Sequence, residues 1–385
     1  MRAPSPGSAL PQLTFTRYVA ALAVVTFHYA AFHVGHGLHW LDDGRWLTFV
    51  TQWPVAVTFF FVLSGFVLAT AYPTLDGADA RRRFWRARFA RIYPVYLLAL
   101  VLTVALQSRA DGVSASAVLG QASLLQGFVP AWIGTLNYPG WSLSAEAFFY
   151  ALFPWLIGWM STRRSAAALL LPVAALWIVT QLVYMALLGL DAAGLLSPAA
   201  GIFVRFNPPL YLSSFVWGIA AALLLREHAA WCDARPWIAR RGAMLALAAS
   251  IAAVAAGLAI IPGSSHASSL HVVTDHCLFA PLFAMAIAAL ALDRSGLARV
   301  LSWRPLVILG EASYAVYILQ VPAWIVFGAW VRPTLAIGPT GGYVVFVALL
   351  TALSVLVLYA VEKPARAWLR PAGGARNTAL VLTNS

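Results

Sequence analysis

Apolar stretches about 20 residues long recur along this chain at about 12–32, 51–72, 91–108, 141–160, 166–188, 206–225, 242–262, 272–292, 305–330 and 341–362. A helix rises 1.5 Å per residue, so each is long enough to cross the roughly 30 Å hydrocarbon layer of a bilayer. Lipid offers no partner for backbone N–H and C=O groups, so a chain built this way folds as a bundle of helices. The composition agrees: 62% of residues are hydrophobic and 10% charged, where a soluble domain carries about 25% charged. The expected fold class is an all-α membrane protein of about ten transmembrane helices, with a single membrane domain over 1–370. The segment 371–385 reads as a disordered or interfacial tail. The region 114–130 reads as a short re-entrant or interfacial helix, and 73–90, 109–140 and 226–241 as the longest loops.

With ten crossings and an internal N-terminus, only Arg45, Arg109, Arg205 and Arg332 of the 25 Lys and Arg residues fall outside. The positive-inside rule therefore places both termini in the cytoplasm. Topology accounts for the net charge of +12, and no nucleic-acid partner is needed to explain it. A cleavable signal peptide is not expected, because Arg17 and His28 interrupt or follow its would-be apolar core. Cys232 and Cys277 fall on different elements and form neither a disulfide framework nor a metal motif.

Ionisable and polar residues at membrane depth are costly, and each one marks a candidate site. Arg17 and His28 are eleven positions apart in "TRYVAALAVVTFHYA". Eleven steps of about 100° bring them to one helix face, about 16.5 Å apart along the axis, with Ala21 and Val24 between them. Alternatively, Arg17 is an interfacial flank and His28 an interhelical hydrogen-bonding residue. In "RRRFWRARFARIYPVY", Arg88 and Arg91 are one turn apart. Two guanidinium forks suit phosphate oxygens, and they equally suit anionic lipid headgroups. Trp85, Phe89 and Ile92 form a neighbouring apolar strip suited to the membrane surface.

Ser142, Glu146 and Tyr150 share a face at i, i+4, i+8 in "PGWSLSAEAFFYALFP". Glu146 either favours the helix N-terminus, orients an imidazole or takes a proton. In "FFFVLSGF", Ser64–Gly65 points to close helix packing more than to catalysis. "LGEASYAVYILQVP" brings Glu311, Ser313, Tyr314, Tyr317 and Gln320 into one span, as lining of a cavity or as buried hydrogen bonding.

Taken together, these segments resemble the acyltransferase-3 family of bacterial membrane O-acyltransferases. The matching residues are Arg17…His28 as R-x10-H, "FFFVLSGF", Arg88…Pro94 as R-x-x-R-I-x-P, Trp141…Pro154 as W-x-L-x-x-E-x-x-x-Y-x-x-x-P, "SYAVYILQVP" and "VEKPAR". The resemblance covers about 10–370. It implies a bacterial inner-membrane enzyme that moves an acyl group from acyl-CoA, most simply acetyl-CoA. The acceptor it implies is a hydroxyl of a cell-surface carbohydrate or lipid-linked glycan. On this reading His28 and Glu146 are catalytic, and Arg17, Arg88 and Arg91 bind the donor. Ser64, Ser142, Tyr150, Tyr314 and Gln320 contact substrate, and no bound cofactor is implied. Gln320 stands where the family often has histidine. Some members add a C-terminal extracytoplasmic hydrolase-type domain; here transfer is expected to finish within the membrane domain or to rely on another protein. The donor's pantetheine arm is expected to run over the Ala21–Val24 face from Arg17 to His28. A reading from a different class is a proton-coupled transporter or glycan exporter with His28, Glu146 and Glu311 as its relay.

Overall fold

The computed structural model describes residues 10–32, 50–108, 112–260 and 276–369. Every regular element among those residues is helical. The helices are α1 (Pro11–Phe32), α2 (Val55–Ala71), α3 (Gly77–Gln107), α4 (Ala115–Ala122), α5 (Trp141–Ser161), α6 (Ala166–Ala192), α7 (Pro198–Phe206) and α8 (Leu212–Glu227). They continue with α9 (Ala229–Ala234), α10 (Pro236–Ile260), α11 (Ala280–Leu292), α12 (Gly296–Leu301), α13 (Arg304–Val326), α14 (Pro339–Val357) and α15 (Lys363–Trp368). Single π-helical turns, Phe327–Val331 and Leu358–Glu362, follow α13 and α14.

Seven helical stretches among the described residues are long and apolar enough to cross a membrane, and α2 and α11 are shorter apolar helices. Every expected apolar run corresponds to a helix here. One boundary is corrected. The arginine-rich segment expected within a loop is helical from Gly77 and runs unbroken into the third apolar stretch as α3. Its Arg and Ala residues are good helix formers, so a helix already nucleated in the apolar part extends backward through them. The strip proposed along this segment is also divided. Trp85 and Phe89 are exposed, but Ile92 is buried in the core. Residues 114–130 form α4 and a 3₁₀ turn at Gln126–Phe128. The expected tail, 371–385, lies outside the described residues, as do Arg45, Arg109 and the adjoining ends of the seventh and eighth runs.

Two close backbone approaches fix the frame. A Cβ on Gly65 of α2 would lie 2.0 Å from the Phe215 carbonyl oxygen of α8, and one on Gly218 would lie 1.9 Å from that of Val62. Only hydrogen fits at either place, so α2 and α8 pack backbone to backbone. The second approach is between α1 and α13, where a Cβ on Gly310 would lie 2.1 Å from the Thr14 carbonyl oxygen. Further along both helices His28 meets Gln320. The two contacts advance in the same direction on each helix, so α1 and α13 run parallel.

Candidate active site

Beside the Thr14–Gly310 contact, residues of α1, α2, α3, α5, α13 and α15 enclose a cavity of about 290 Å³. Each wall presents residues at helical spacing. From α1 come Leu13, Thr14 and Arg17, from α3 Arg88 and Arg91, from α5 Ser142, Glu146 and Tyr150. Ser64 enters from α2, Tyr314 and Tyr317 from α13, and Arg366 from α15. The i, i+4, i+8 face of α5 therefore faces the cavity as a unit.

Polar contacts order this lining. The Tyr150 hydroxyl donates to Glu146 Oε1 one turn earlier, and Ser64 Oγ donates to the same oxygen at 3.3 Å. Arg88 Nη2 donates to the Tyr72 hydroxyl at 3.4 Å, and its guanidinium lies 5.6 Å from that ring's centre. Tyr314 donates to the Ile92 carbonyl at 2.6 Å, tying α13 to α3. The Ser142 and Tyr317 hydroxyls are 2.9 Å apart. Two ion pairs close the end of the cavity: Lys363 with Glu311 at 3.1 Å, and Arg366 with the buried Glu362. These pairs neutralise themselves. What remains in the lining is Arg17, Arg88 and Arg91 against the single carboxylate of Glu146. The cavity thus holds a surplus of two positive charges, on the group type best matched to phosphate oxygens.

His28 and Gln320 lie away from that lining. His28 Nδ1 is 2.8 Å from Gln320 Oε1, and Gln320 Nε2 donates to the Tyr317 carbonyl at 2.6 Å. The Tyr138 ring meets the imidazole edge-on, with centroids 4.9 Å apart. The route expected over Ala21 and Val24 is closed, because both are fully packed (0% and 2% exposed) and neither lines the cavity. Small apolar residues between two functional positions on a tightly packed helix are filled by the neighbouring helix. The link between the two centres runs instead through Tyr317. Tyr317 lines the cavity, and its carbonyl holds Gln320.

A model of the acyltransferase domain, acyltransferase 3, matches residues 10–361. The chain belongs to the acyltransferase 3 family. Among curated proteins it is similar to the acyltransferase MdmB of Streptomyces mycarofaciens, at 32% identity over 81% of this chain and 78% of that one. A local similarity, 53% identity over 13% of this chain and 28% of the relative, links it to protein 2 in the picA locus of Rhizobium radiobacter. No solved structure matches it. The protein is a multi-pass membrane acyltransferase, and the transporter reading gives way to family membership.

Within this acyltransferase 3 frame, Arg17, Arg88, Arg91, Ser64, Ser142, Glu146, Tyr150 and Tyr314 come together around one cavity. His28 and Gln320 pair with each other outside it. Glu146 is not brought to His28; among the described residues its partners are Ser64 and Tyr150. Ser64 faces the cavity while its neighbour Gly65 makes the close helix contact, so the two residues of that motif divide the two expected roles.

Sequence reasoning missed Arg366, whose signal was Glu362 and Arg366 one turn apart in "VEKPAR". It also missed the consequence of two prolines. Pro322 has no N–H for the Ile318 carbonyl, and the buried Asn137 side chain donates to that oxygen at 2.9 Å. Asn137 thereby docks its neighbour Tyr138 beside His28. Pro154 likewise frees the Tyr150 carbonyl, which accepts from Trp85 Nε1 at 2.9 Å.

Proposed function

We propose that this protein is a bacterial inner-membrane O-acyltransferase that takes an acyl group, acetyl in the simplest case, from cytoplasmic acyl-CoA. The acceptor is a hydroxyl of an extracytoplasmic carbohydrate or lipid-linked glycan. The single observation that carries this reading is the surplus of three guanidiniums over one carboxylate in a cavity also lined by hydroxyls. Its surplus of two positive charges matches the diphosphate of coenzyme A in charge, and guanidinium forks suit phosphate oxygens. The membrane domain, 1–370, crosses the bilayer ten times with both termini inside. The parallel run of α1 and α13 supports this, since a first and a ninth crossing must point the same way. The cavity then opens toward the cytoplasm, where acyl-CoA is found.

On this reading Arg17, Arg88 and Arg91 hold the donor's phosphates, and the pantetheine arm passes the hydroxyls of Ser142 and Tyr317 toward His28. A sugar hydroxyl is a weak nucleophile at neutral pH and needs a base, which imidazole supplies. His28 takes the hydroxyl proton as the oxygen attacks the thioester carbonyl. The C–S bond then breaks, and the coenzyme sulfur leaves with the proton returned by His28. Glu146 accepts from the Tyr150 and Ser64 hydroxyls and so holds both side chains in place beside the donor.

The test is acyl transfer by purified protein in lipid nanodiscs, with labelled acetyl-CoA and a lipid-linked glycan fraction. Label should enter the glycan only when the protein is present, and His28→Ala should lower kcat by roughly 10²–10⁴-fold. Undiminished kcat in that variant would remove His28 as the base. Glycan flux into sealed proteoliposomes with no label transfer would remove the enzyme reading of this site.

A further inference from the structure

The pairing of His28 with Gln320 determines which imidazole nitrogen carries the hydrogen. A primary amide has one face that donates and one that accepts. Gln320 reaches back one turn to the Tyr317 backbone carbonyl, at 2.6 Å. A carbonyl can only accept, so the NH₂ group must occupy that contact. The Oε1 atom is then the one turned to His28 Nδ1, at 2.8 Å. An amide oxygen can only accept in its turn, so Nδ1 must carry a hydrogen. The basic nitrogen of the neutral ring is therefore Nε2.

We propose that Gln320 is a positioning residue that fixes His28 in the Nδ1–H tautomer and aims Nε2 at the acceptor hydroxyl. It does so without charge, using the backbone of its own helix as the reference point. The reference is stiff. Gln320 is buried on a turn between Ile318, clamped by Asn137, and Pro322, which frees the clamped carbonyl. Tyr138, docked by the same clamp, limits rotation of the imidazole from the other side. In the transfer step the hydroxyl proton goes to Nε2, the oxygen bonds to the thioester carbon, and the departing sulfur takes that proton from Nε2. Nδ1–H stays bonded to Gln320 throughout. The role of the imidazole as base rests on the function proposed above; the tautomer assignment does not.

The experiment separates the two. Protein carrying ¹⁵N-labelled histidine, studied by NMR in nanodiscs, reports protonation at each ring nitrogen, and the difference from His28→Ala assigns the signals among the eight histidines. The expected result is a protonated Nδ1 and an unprotonated Nε2 for His28. The opposite pattern in the parent protein would overturn the assignment whatever the activity shows. Gln320→Leu should mix the tautomers and lower kcat by at least about tenfold with KM for acyl-CoA unchanged, since a misassigned tautomer disables a base. Gln320→Glu retains an acceptor for Nδ1–H but loses the donor to the Tyr317 carbonyl, so it should keep the Nδ1–H signal while its turnover falls below the parent's. If Gln320→Leu leaves both spectrum and kcat as in the parent, Gln320 does not position His28. If His28→Ala keeps its kcat while the spectra behave as expected, the base reading fails and the tautomer assignment stands.

Discussion

Trp85 donates its indole N–H to the Tyr150 carbonyl across 2.9 Å, and this is the carbonyl that Pro154 leaves without its helical partner. An unpartnered carbonyl in a lipid-facing bundle is costly, so the indole repairs the break and joins α3, which bears Arg88, to α5, which bears Glu146. Trp85→Phe keeps a ring against Trp155 but removes the donor. It should lower stability by about 0.6 kcal/mol and by no more than about 1.7, the mean and the maximum for hydrogen bonds between membrane helices. Pro154→Ala restores a helical N–H for the same oxygen, so in that background Trp85→Phe should cost less. Thermal unfolding of the four proteins in nanodiscs measures the coupling. Additive effects would mean that the indole bond does not serve the broken turn.

The backbone contact between α2 and α8 makes a sharper demand. Gly65→Ala puts a methyl 2.0 Å from the Phe215 carbonyl oxygen, where no flexible side chain can move aside. The helices must separate, at a cost of about 1–3 kcal/mol. Ser64 would move with the backbone, so activity should fall along with stability. Gly158→Ala is the control. It lies on α5 with nothing within 4 Å of its would-be Cβ, and it should be neutral or slightly stabilising. Equal melting temperatures for Gly65→Ala and the parent would show that the contact is looser than drawn.

These two cases mark what the sequence could and could not disclose. The helices were legible because length and apolar character decide a membrane-spanning segment with little help from neighbours. The grouping of Ser142, Glu146 and Tyr150, and of Arg88 with Arg91, was legible because helical spacing fixes which side chains share a face. Contacts between helices were not. Nothing in α1 alone says that Ala21 and Val24 are covered while Arg17, one turn earlier, opens on a cavity. A proline announces an unpartnered carbonyl four residues before it, yet whether Asn137 or Trp85 answers depends on which loop or helix is folded beside it. Gln320 read as a departure at an isolated position, and its partner became visible only when α1 and α13 were side by side.

Glu146 offers a prediction that separates charge from chemistry. Its carboxylate accepts from both Tyr150 and Ser64, and it is the one unpaired acid among three guanidiniums. Glu146→Gln keeps the shape and removes the charge. The cavity becomes more positive, so KM for acyl-CoA should not rise. The two hydroxyls lose their charged acceptor and with it their fixed positions, so kcat should fall by about tenfold or more. Unchanged kcat would limit Glu146 to shaping the end of α5, and a raised KM would contradict the assigned charge balance.

The charge balance itself predicts how the donor is held. Lys363–Glu311 and Arg366–Glu362 cancel, which leaves a surplus of two positive charges at Arg17, Arg88 and Arg91. If these guanidiniums hold the diphosphate of coenzyme A, acetyl-pantetheine, which lacks it, should be a poor donor through KM rather than kcat. Hydrogen bonds to charged groups contribute about 1.5–3 kcal/mol each, and about 1.4 kcal/mol is a tenfold change in affinity. Arg17→Ala should therefore raise KM for acetyl-CoA by about tenfold to a hundredfold. Arg88→Lys keeps the charge but loses the fork and should have a smaller effect in the same direction. Neither variant should alter KM for acetyl-pantetheine, because the contact it removes is absent from that donor. Added salt should likewise raise KM for acetyl-CoA more than for acetyl-pantetheine, since screening weakens only the charged contact. The measurement is transfer rate across a titration of each donor, at two ionic strengths, for the parent and both variants. Parallel responses of the two donors would mean that the arginines do not meet the diphosphate, and the surplus charge would then need a different anion to explain it.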